Sequence, residues 1–302
     1  MAADTTAGDD RSLRAGKRIP YVLLIPGMLF TFVFFVVPLI TLLKISLSTK
    51  PDRLLPNYEF TWEWSNYRAA FDDFGTQLLR SFVYAGIATV ICLLIAYPIA
   101  YFIAFKAGRW RYVLLGLVMV PFFTSFLLRT IAWQSLLNDS GPVIGLIDRL
   151  NATEILDSVG ILDNGRLLNT QIAVIGGLTY NFLPFMLLPI YVSLEKVDVR
   201  LVDASADLYS PFSRTFRKVI FPLSLPGVFA GTLLTFIPAT GDFINAELLG
   251  NPNTQVIGSV VQTQFLERND YPTAAAISFV IMALITAMVL VYAKFLGTED
   301  LA

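Results

Sequence analysis

Apolar residues fall into separated blocks along the chain, several of them long and almost free of charge. An α-helix rises about 1.5 Å per residue, so about 20 apolar residues cross a hydrocarbon core of about 30 Å. On that measure the pattern predicts about six membrane-spanning helices, at 19–43, 81–105, 112–133, 171–194, 223–243 and 273–296. The first, second and sixth are nearly pure apolar runs, whereas the fourth and fifth also carry proline, glycine and polar residues. Prolines recur within or at the ends of spans, at Pro26, Pro38, Pro98, Pro121, Pro184, Pro189, Pro226 and Pro238. Each removes a backbone donor and can kink its helix, which a membrane tolerates only where neighbours, side chains or water satisfy the freed carbonyl. So many breaks fit helices that line a pathway, although proline is in any case more frequent in spanning helices. General frequency explains least the pair Pro184 and Pro189 in one span, with Tyr180 and Asn181 beside them.

Lys and Arg beside the spans set the expected orientation. One face receives Arg11, Arg14, Lys17 and Arg18, then Lys106, Arg109 and Arg111, then Lys196, Arg200, Arg214, Arg217 and Lys218, then Lys294. The other receives Lys44, Lys50, Arg53, Arg68, Arg80, Arg149, Arg166 and Arg268, spread over longer loops. The denser face is expected to be cytoplasmic. That puts a polar tail, 1–18, and a short tail, 298–302, inside, with 19–297 as the membrane domain and 46–80, 134–170 and 245–272 outside. Asn138 to Pro142 is a turn signal, and the amphipathic stretch 143–150 after it suits an interfacial helix. Cations ahead of an apolar run can also mark a signal peptide. Here the run exceeds the usual h-region of about 7–15 residues, and no small-residue cleavage site follows it.

Composition narrows the function. The chain has 302 residues, 55% hydrophobic and 15% charged, with a net charge of −1, no His and one Cys. No disulfide within the chain is possible, and the usual Cys/His zinc spacings are absent; Cys92, inside an apolar block, reads as a small buried hydrophobe. The basic cluster Arg214, Arg217 and Lys218 is small and lies beside a bilayer. It suits lipid headgroups or acids on a partner protein and not nucleic acid.

The segment 195–222 is too long for a simple connection between helices. Val199, Val202, Ala206 and Tyr209 recur at helical spacing, with acids early and bases late, as a helix dipole favours. Pro211 should end a first short helix, and Phe212, Phe216, Val219 and Ile220 give an apolar face to a second. Two short helices lying across the cytoplasmic ends of the bundle are expected. On pattern alone such an element either lies on lipid or docks into another protein's groove.

This segment resembles the cytoplasmic motif of permease subunits in ATP-binding-cassette importers, Glu-Ala-Ala, three residues, Gly, then a later apolar-Pro. Asp203, Ala204 and Ser205 match its first three positions, Asp207 and Leu208 the usual Asp-Leu, and Phe216, Ile220 and Pro222 the later part. Tyr209 stands at the Gly position, where the family's Gly allows a close turn; a tyrosine is not expected to take those backbone angles readily. Three further stretches are similar to the spermidine/putrescine permease branch of the family, in order over 20–297: Pro121 to Trp133, Leu183 to Tyr191, and Phe236 to Phe243 with Glu247 to Gly250.

The resemblance implies an all-α integral membrane protein of the type I importer permease fold, with a cytoplasmic coupling helix between the fourth and fifth spans. It implies a bacterial inner-membrane complex: this chain, a second homologous permease subunit, a cytoplasmic ATPase dimer and an external substrate-binding protein. No phosphate loop of the Gly-x-x-x-x-Gly-Lys-Ser/Thr kind occurs in the chain. ATP and Mg therefore belong to the partner ATPase, and this chain is a transport subunit with no cofactor or metal of its own. Coupling falls to Val199, Val202, Asp203, Ala204, Ser205, Asp207, Leu208 and Tyr209.

A polyamine needs acids, carbonyls or aromatic faces along its route, because stripping ammonium groups of water is costly. Asp242, at the outer end of the fifth span, is the leading candidate, since intramembrane acids are rare and functional by default. Glu247 lies just beyond, and Tyr180, Phe185, Tyr191 and Trp133 offer rings. The plainer reading pairs Asp242 with Arg129 as a structural ion pair, which can also act as a gate, and treats the rings as packing or interfacial anchors. Three rival readings stand beside this one: the same importer class carrying thiamine, iron, sulfate or another solute; a secondary transporter, which would need a coupling-ion site and often an internal repeat; and a membrane enzyme, which lacks His and paired carboxylates here.

Overall fold

The computed structural model describes residues 24–50 and 58–295. The expected polar tails, the N-terminal basic cluster, the start of the first span and Arg53 lie outside the described residues. What is described is helical apart from one two-residue hairpin pairing Ser48–Thr49 (β1) with Glu59–Phe60 (β2). Five helices are long and apolar enough to cross a membrane, and a bent pair brings the number to six.

The first span, α1, covers Leu24–Ser46. Phe30, Phe34, Phe35 and Met28 on it are each at least 60% exposed, a surface that suits hydrocarbon and would be unusual in water. A short helix, α2 (Ser65–Asp72), precedes the second span, α3 (Gly75–Phe105). Helix α3 starts before the expected position 81, because its polar first turns reach out of the hydrocarbon. There Arg80 donates to the Gln255 carbonyl at 2.9 Å.

The third span is not the single helix expected over 112–133. Helix α4 (Arg111–Met119) tightens into a 3-10 turn, Val120–Phe123; Thr124 and Ser125 are extended; and α5 (Phe126–Leu137) leaves at 95°. Pro121 lacks the donor that would continue the α-helix, and Thr124 Oγ1 caps the Pro121 carbonyl at 2.6 Å. After the third span follow α6 (Pro142–Arg149), where the interfacial helix was expected, and α7 (Thr153–Ser158).

The fourth span, α8 (Gln171–Glu195), runs through both prolines as one helix and forms the central column. Against it lie α3 and the fifth span, α10 (Phe212–Gly241), with α9 (Val199–Asp207) between α8 and α10 in sequence. In hydrocarbon no hydrophobic effect drives helices together, so small residues and close packing must. Ala85, Ala88, Ala96 and Ala100 on α3 are fully buried. A Cβ added at Gly231 of α10 would sit 2.9 Å from the Met186 carbonyl of α8, so only glycine permits that approach. The Tyr97 and Ser224 hydroxyls meet at 2.8 Å between α3 and α10, and buried Cys92 donates to the Thr179 carbonyl at 3.3 Å.

Helix α10 corrects a second expectation. The segment 212–220 is not a separate helix across the bundle but the first part of the fifth span. A widened π turn at Phe216–Ile220 carries the helix past Pro222. The segment 245–272, read only as an outer connection, folds back as α11 (Ile244–Leu249) and α12 (Ile257–Gln262), the latter extended by a π turn, before the sixth span, α13 (Tyr271–Phe295). Ser81 Oγ accepts from the Ile257 amide at 2.7 Å, supplying a partner for one free amide at the start of α12.

Candidate functional site

Two places combine chemistry with a position that can serve transport. The first lies where α10 ends. Gly241 closes the helix and Asp242 is extended (φ −74°, ψ 116°). Its Oδ1 accepts from the Ile244 amide at 2.9 Å, and its Oδ2 accepts a short hydrogen bond from Asn245 Nδ2. Asn245 Oδ1 in turn accepts from Asn181 Nδ2 of α8 at 3.1 Å, and Asn181 Nδ2 also lies 3.1 Å from Thr130 Oγ1 of α5. Asn181, Asn245 and Thr130 are fully buried. One polar cluster thus ties together the broken third span, the central column and the end of the fifth span. Asn181 Oδ1 is buried with no donor among the described residues.

The expected ion pair between Asp242 and Arg129 is not formed. Among the described residues the ion pairs are Arg68–Asp72, Arg111–Glu195 and Arg166–Asp139. Successive helical residues point about 100° apart, so with Thr130 turned into the cluster, Arg129 faces elsewhere. Its guanidinium lies 5.2 Å from the Phe122 ring and 5.6 Å from the Phe126 ring.

The other expected pathway residues separate. Trp133 and Tyr180 stack on each other, centroids 5.4 Å apart and planes within 3°. Phe185 meets the Phe122 ring edge-on at 4.8 Å, beneath the break. Glu247 is exposed on α11 and makes no part of the cluster. Tyr191 lies about 15 Å further down α8 than Asn181, one turn above Glu195, whose carboxylate pairs with Arg111 at 3.2 Å. Asp242, Trp133, Tyr180 and Phe185 therefore lie toward the end of the bundle where the fifth span stops, and Tyr191 toward the opposite end, near Glu195. Thr130 and Asn245 were missed by sequence reasoning; an Asn and a Thr in apolar surroundings were the only signal, and neither carries a charge.

The second place is α9. Val202 packs against the apolar cluster of α3, α8 and α10, and the hydroxyls of Ser205 and Thr215 meet at 2.7 Å, so these two anchor the helix to the bundle. Val199, Asp203, Ala204, Asp207, Leu208 and Tyr209 are exposed, Leu208 at 82% and Tyr209 at 96%. Tyr209 takes the backbone angles that were not expected of it: its φ is +53°. The Ser210 amide donates to the Ser205 carbonyl at 3.1 Å, the closing bond of a left-handed helix end that glycine usually makes. Pro211 follows in extended conformation and starts α10. The motif's close turn is therefore kept at a strain of about 1 kcal/mol, and an aromatic ring projects from it. Arg214, Arg217 and Lys218 are exposed beside it. Among the described residues no group of three His, Cys, Asp or Glu side chains is placed to hold a metal ion.

Comparison with known proteins gives a consistent picture. The family model described as binding-protein-dependent transport system inner membrane component matches residues 96–296. The chain is 37% identical over 263 residues to the spermidine/putrescine transport system permease protein PotB of Haemophilus influenzae, covering 86% of this chain and 88% of that protein. It is 36% identical over 273 residues to PotB of Escherichia coli (strain K12), covering 90% and 94%. Among solved structures, a chain of a bacterial ABC transporter involved in the import of the acidic polysaccharide alginate superposes with a TM-score of 0.65 at 15% identity, covering 95% of this chain and 98% of that one. That last likeness is one of fold.

Proposed function

The chain belongs to the family of inner membrane components of binding-protein-dependent transport systems, multi-pass ABC importer permeases with no catalytic role of their own, and from that premise we propose that its cargo is a polyamine such as spermidine or putrescine. The observation that carries this reading is the 36–37% identity to two polyamine permeases over most of the chain. The outer cluster supports it: a carboxylate, Asp242, stands at the end of the fifth span with amide and hydroxyl oxygens behind it. Oxygen acceptors and a carboxylate in low dielectric suit a chain of ammonium groups. The stacked rings of Tyr180 and Trp133 and the half-buried Phe185 add apolar and cation–π surface at the same end, whereas Tyr191 is buried near the other end.

In this reading the chain pairs with a second homologous permease, and both termini face the cytoplasm. A substrate-binding protein delivers cargo to the outer loops, and a pair of ATPase subunits binds ATP and Mg below. Helix α9 is the lever. Val202 and Ser205 fasten it to the bundle, while Val199, Asp203, Ala204, Asp207, Leu208 and Tyr209 are offered to the ATPase. Motion of the ATPases then reaches the spans through α8 and α10, opening the path to each side in turn.

The test is uptake by the complex reconstituted in proteoliposomes with its binding protein and ATPase. Labelled spermidine or putrescine should accumulate only with ATP and binding protein present, and Asp242→Asn should slow uptake with assembly intact. Uptake of thiamine, iron or sulfate in place of polyamines would replace the cargo and keep the importer. Transport without any ATPase would sink both.

A further inference from the structure

The break in the third span leaves two needs unmet. Helix α4 and its 3-10 turn climb roughly 20 Å from Arg111 to Phe123, which puts the break inside a hydrocarbon layer about 30 Å thick. Irregular backbone does not face lipid at such depth; it must be covered by protein or line a water-filled cavity. Yet Phe123, Thr124 and Ser125 are exposed in this chain, Phe123 at 88%, and Ser125 offers no side-chain cap to the free amides that begin α5. Those amides are the positive end of a helix dipole.

The second need is that of Arg129. It lies in the first turn of α5 and is only 9% exposed, and its Nε has no acceptor among the described residues. Its side chain leans back over Phe122 and Phe126, the residues that flank the break. No carboxylate of this chain pairs with it among the described residues, and Asp242 is already engaged by Asn245 and Ile244. A buried guanidinium without a counter-ion is costly, and its planar fork matches a carboxylate.

We infer that the break in the third span is an interface, and that a carboxylate of the second permease subunit docks there, on Arg129 and the free amides of α5. This rests on the two-permease reading above. The hydrocarbon depth excludes a phospholipid headgroup, and a cationic cargo would be repelled by an uncompensated Arg129. Neutralised in trans, the same arginine becomes a joint between the two subunits, one residue before Thr130 of the cluster that holds α5 to α8 and α10.

The experiment uses the whole reconstituted complex. Wild-type uptake is measured first, so that a wrong cargo is recognised before the interface is judged. Stimulation of ATP hydrolysis by the binding protein then serves as a readout independent of cargo. Arg129→Gln should lower stimulated hydrolysis and uptake by roughly tenfold or more, and Arg129→Glu further, with the complex still copurifying. In the Arg129→Glu background, each acidic residue in the membrane segments of the second permease is then reversed to Arg; one reversal should restore activity. Wild-type activity of Arg129→Gln, or failure of every single reversal to restore Arg129→Glu, would overturn the inference.

Discussion

The two ends of the α8–α10 column are built on opposite plans. At the Asp242 end polar groups are hidden: Asn181, Asn245 and Thr130 are fully buried and hold one another. At the α9 end apolar groups are displayed: Leu208 and Tyr209 stand clear of the bundle, while Val202 and Ser205 fasten the helix to it. A buried hydrogen-bonded cluster resists rearrangement because breaking it strands polar groups in low dielectric. An exposed apolar tip on a short helix is instead available to whatever grips it. The difference suits a machine pushed at one end and gated at the other, and the glycine-tight contact of α8 with α10 is what joins them.

Severing that joint is expected to have the largest effect. Gly231→Leu must displace the Met186 backbone. It should destabilise the bundle by about 1–3 kcal/mol or prevent assembly, read as a lowered melting temperature in detergent and loss of copurification. If the variant melts and assembles like wild type, the two ends are not rigidly joined. Next is Asn245→Ala, which removes the shared partner of Asp242 and Asn181. It should cost about 1–3 kcal/mol and raise labelling of a cysteine placed at Thr130 by an outside-added reagent; unchanged labelling would mean the cluster does not hold the outer end shut.

At the α9 end, Leu208→Asp should leave the melting temperature within a degree or so of wild type, as for surface positions generally, while uptake is lost and ATP hydrolysis no longer responds to the binding protein. Intact coupling would remove α9 from the role of lever. The smallest effect on stability is expected for Tyr209→Gly. Relief of the positive φ should stabilise the fold by at most about 1 kcal/mol, so any loss of uptake reports on the ring alone. Uptake equal to wild type would show that the ring contributes nothing to coupling and that the turn is the whole function of the position.

Much of the membrane plan was legible in the residues. The spans expected at 171–194 and 273–296 appear at Gln171–Glu195 and Tyr271–Phe295, and the one at 81–105 starts earlier, at Gly75, because a nearly uniform apolar run has one way to satisfy its backbone in hydrocarbon. The segment after the fourth span was legible from Val199 to Tyr209 as a short helix with a proline stop at Pro211, and α9 covers Val199–Asp207. Three features were not. The sharp turn at Thr124 and Ser125 was one, since eight prolines in or beside spans look alike in sequence while Pro121 alone sits before a 95° break. The fold-back of 245–272 was another, because its short helices carry mixed residues with no sustained period. The third was the partner of Asp242: a charge suggests an opposite charge, and the neutral Asn245 carries no such signal.

Hydropathy alone therefore determined that this chain lives in a membrane, roughly how often it crosses, and that a polar segment separates the fourth and fifth spans; these follow from transfer of apolar length out of water, a property each segment has by itself. Which faces meet was decided only in three dimensions. The left-handed tyrosine, the cluster around Asn245 and the separation of Arg129 from Asp242 depend on the direction in which each side chain leaves its helix. A helix turns about 100° per residue, so a single break in one span redirects every group beyond it.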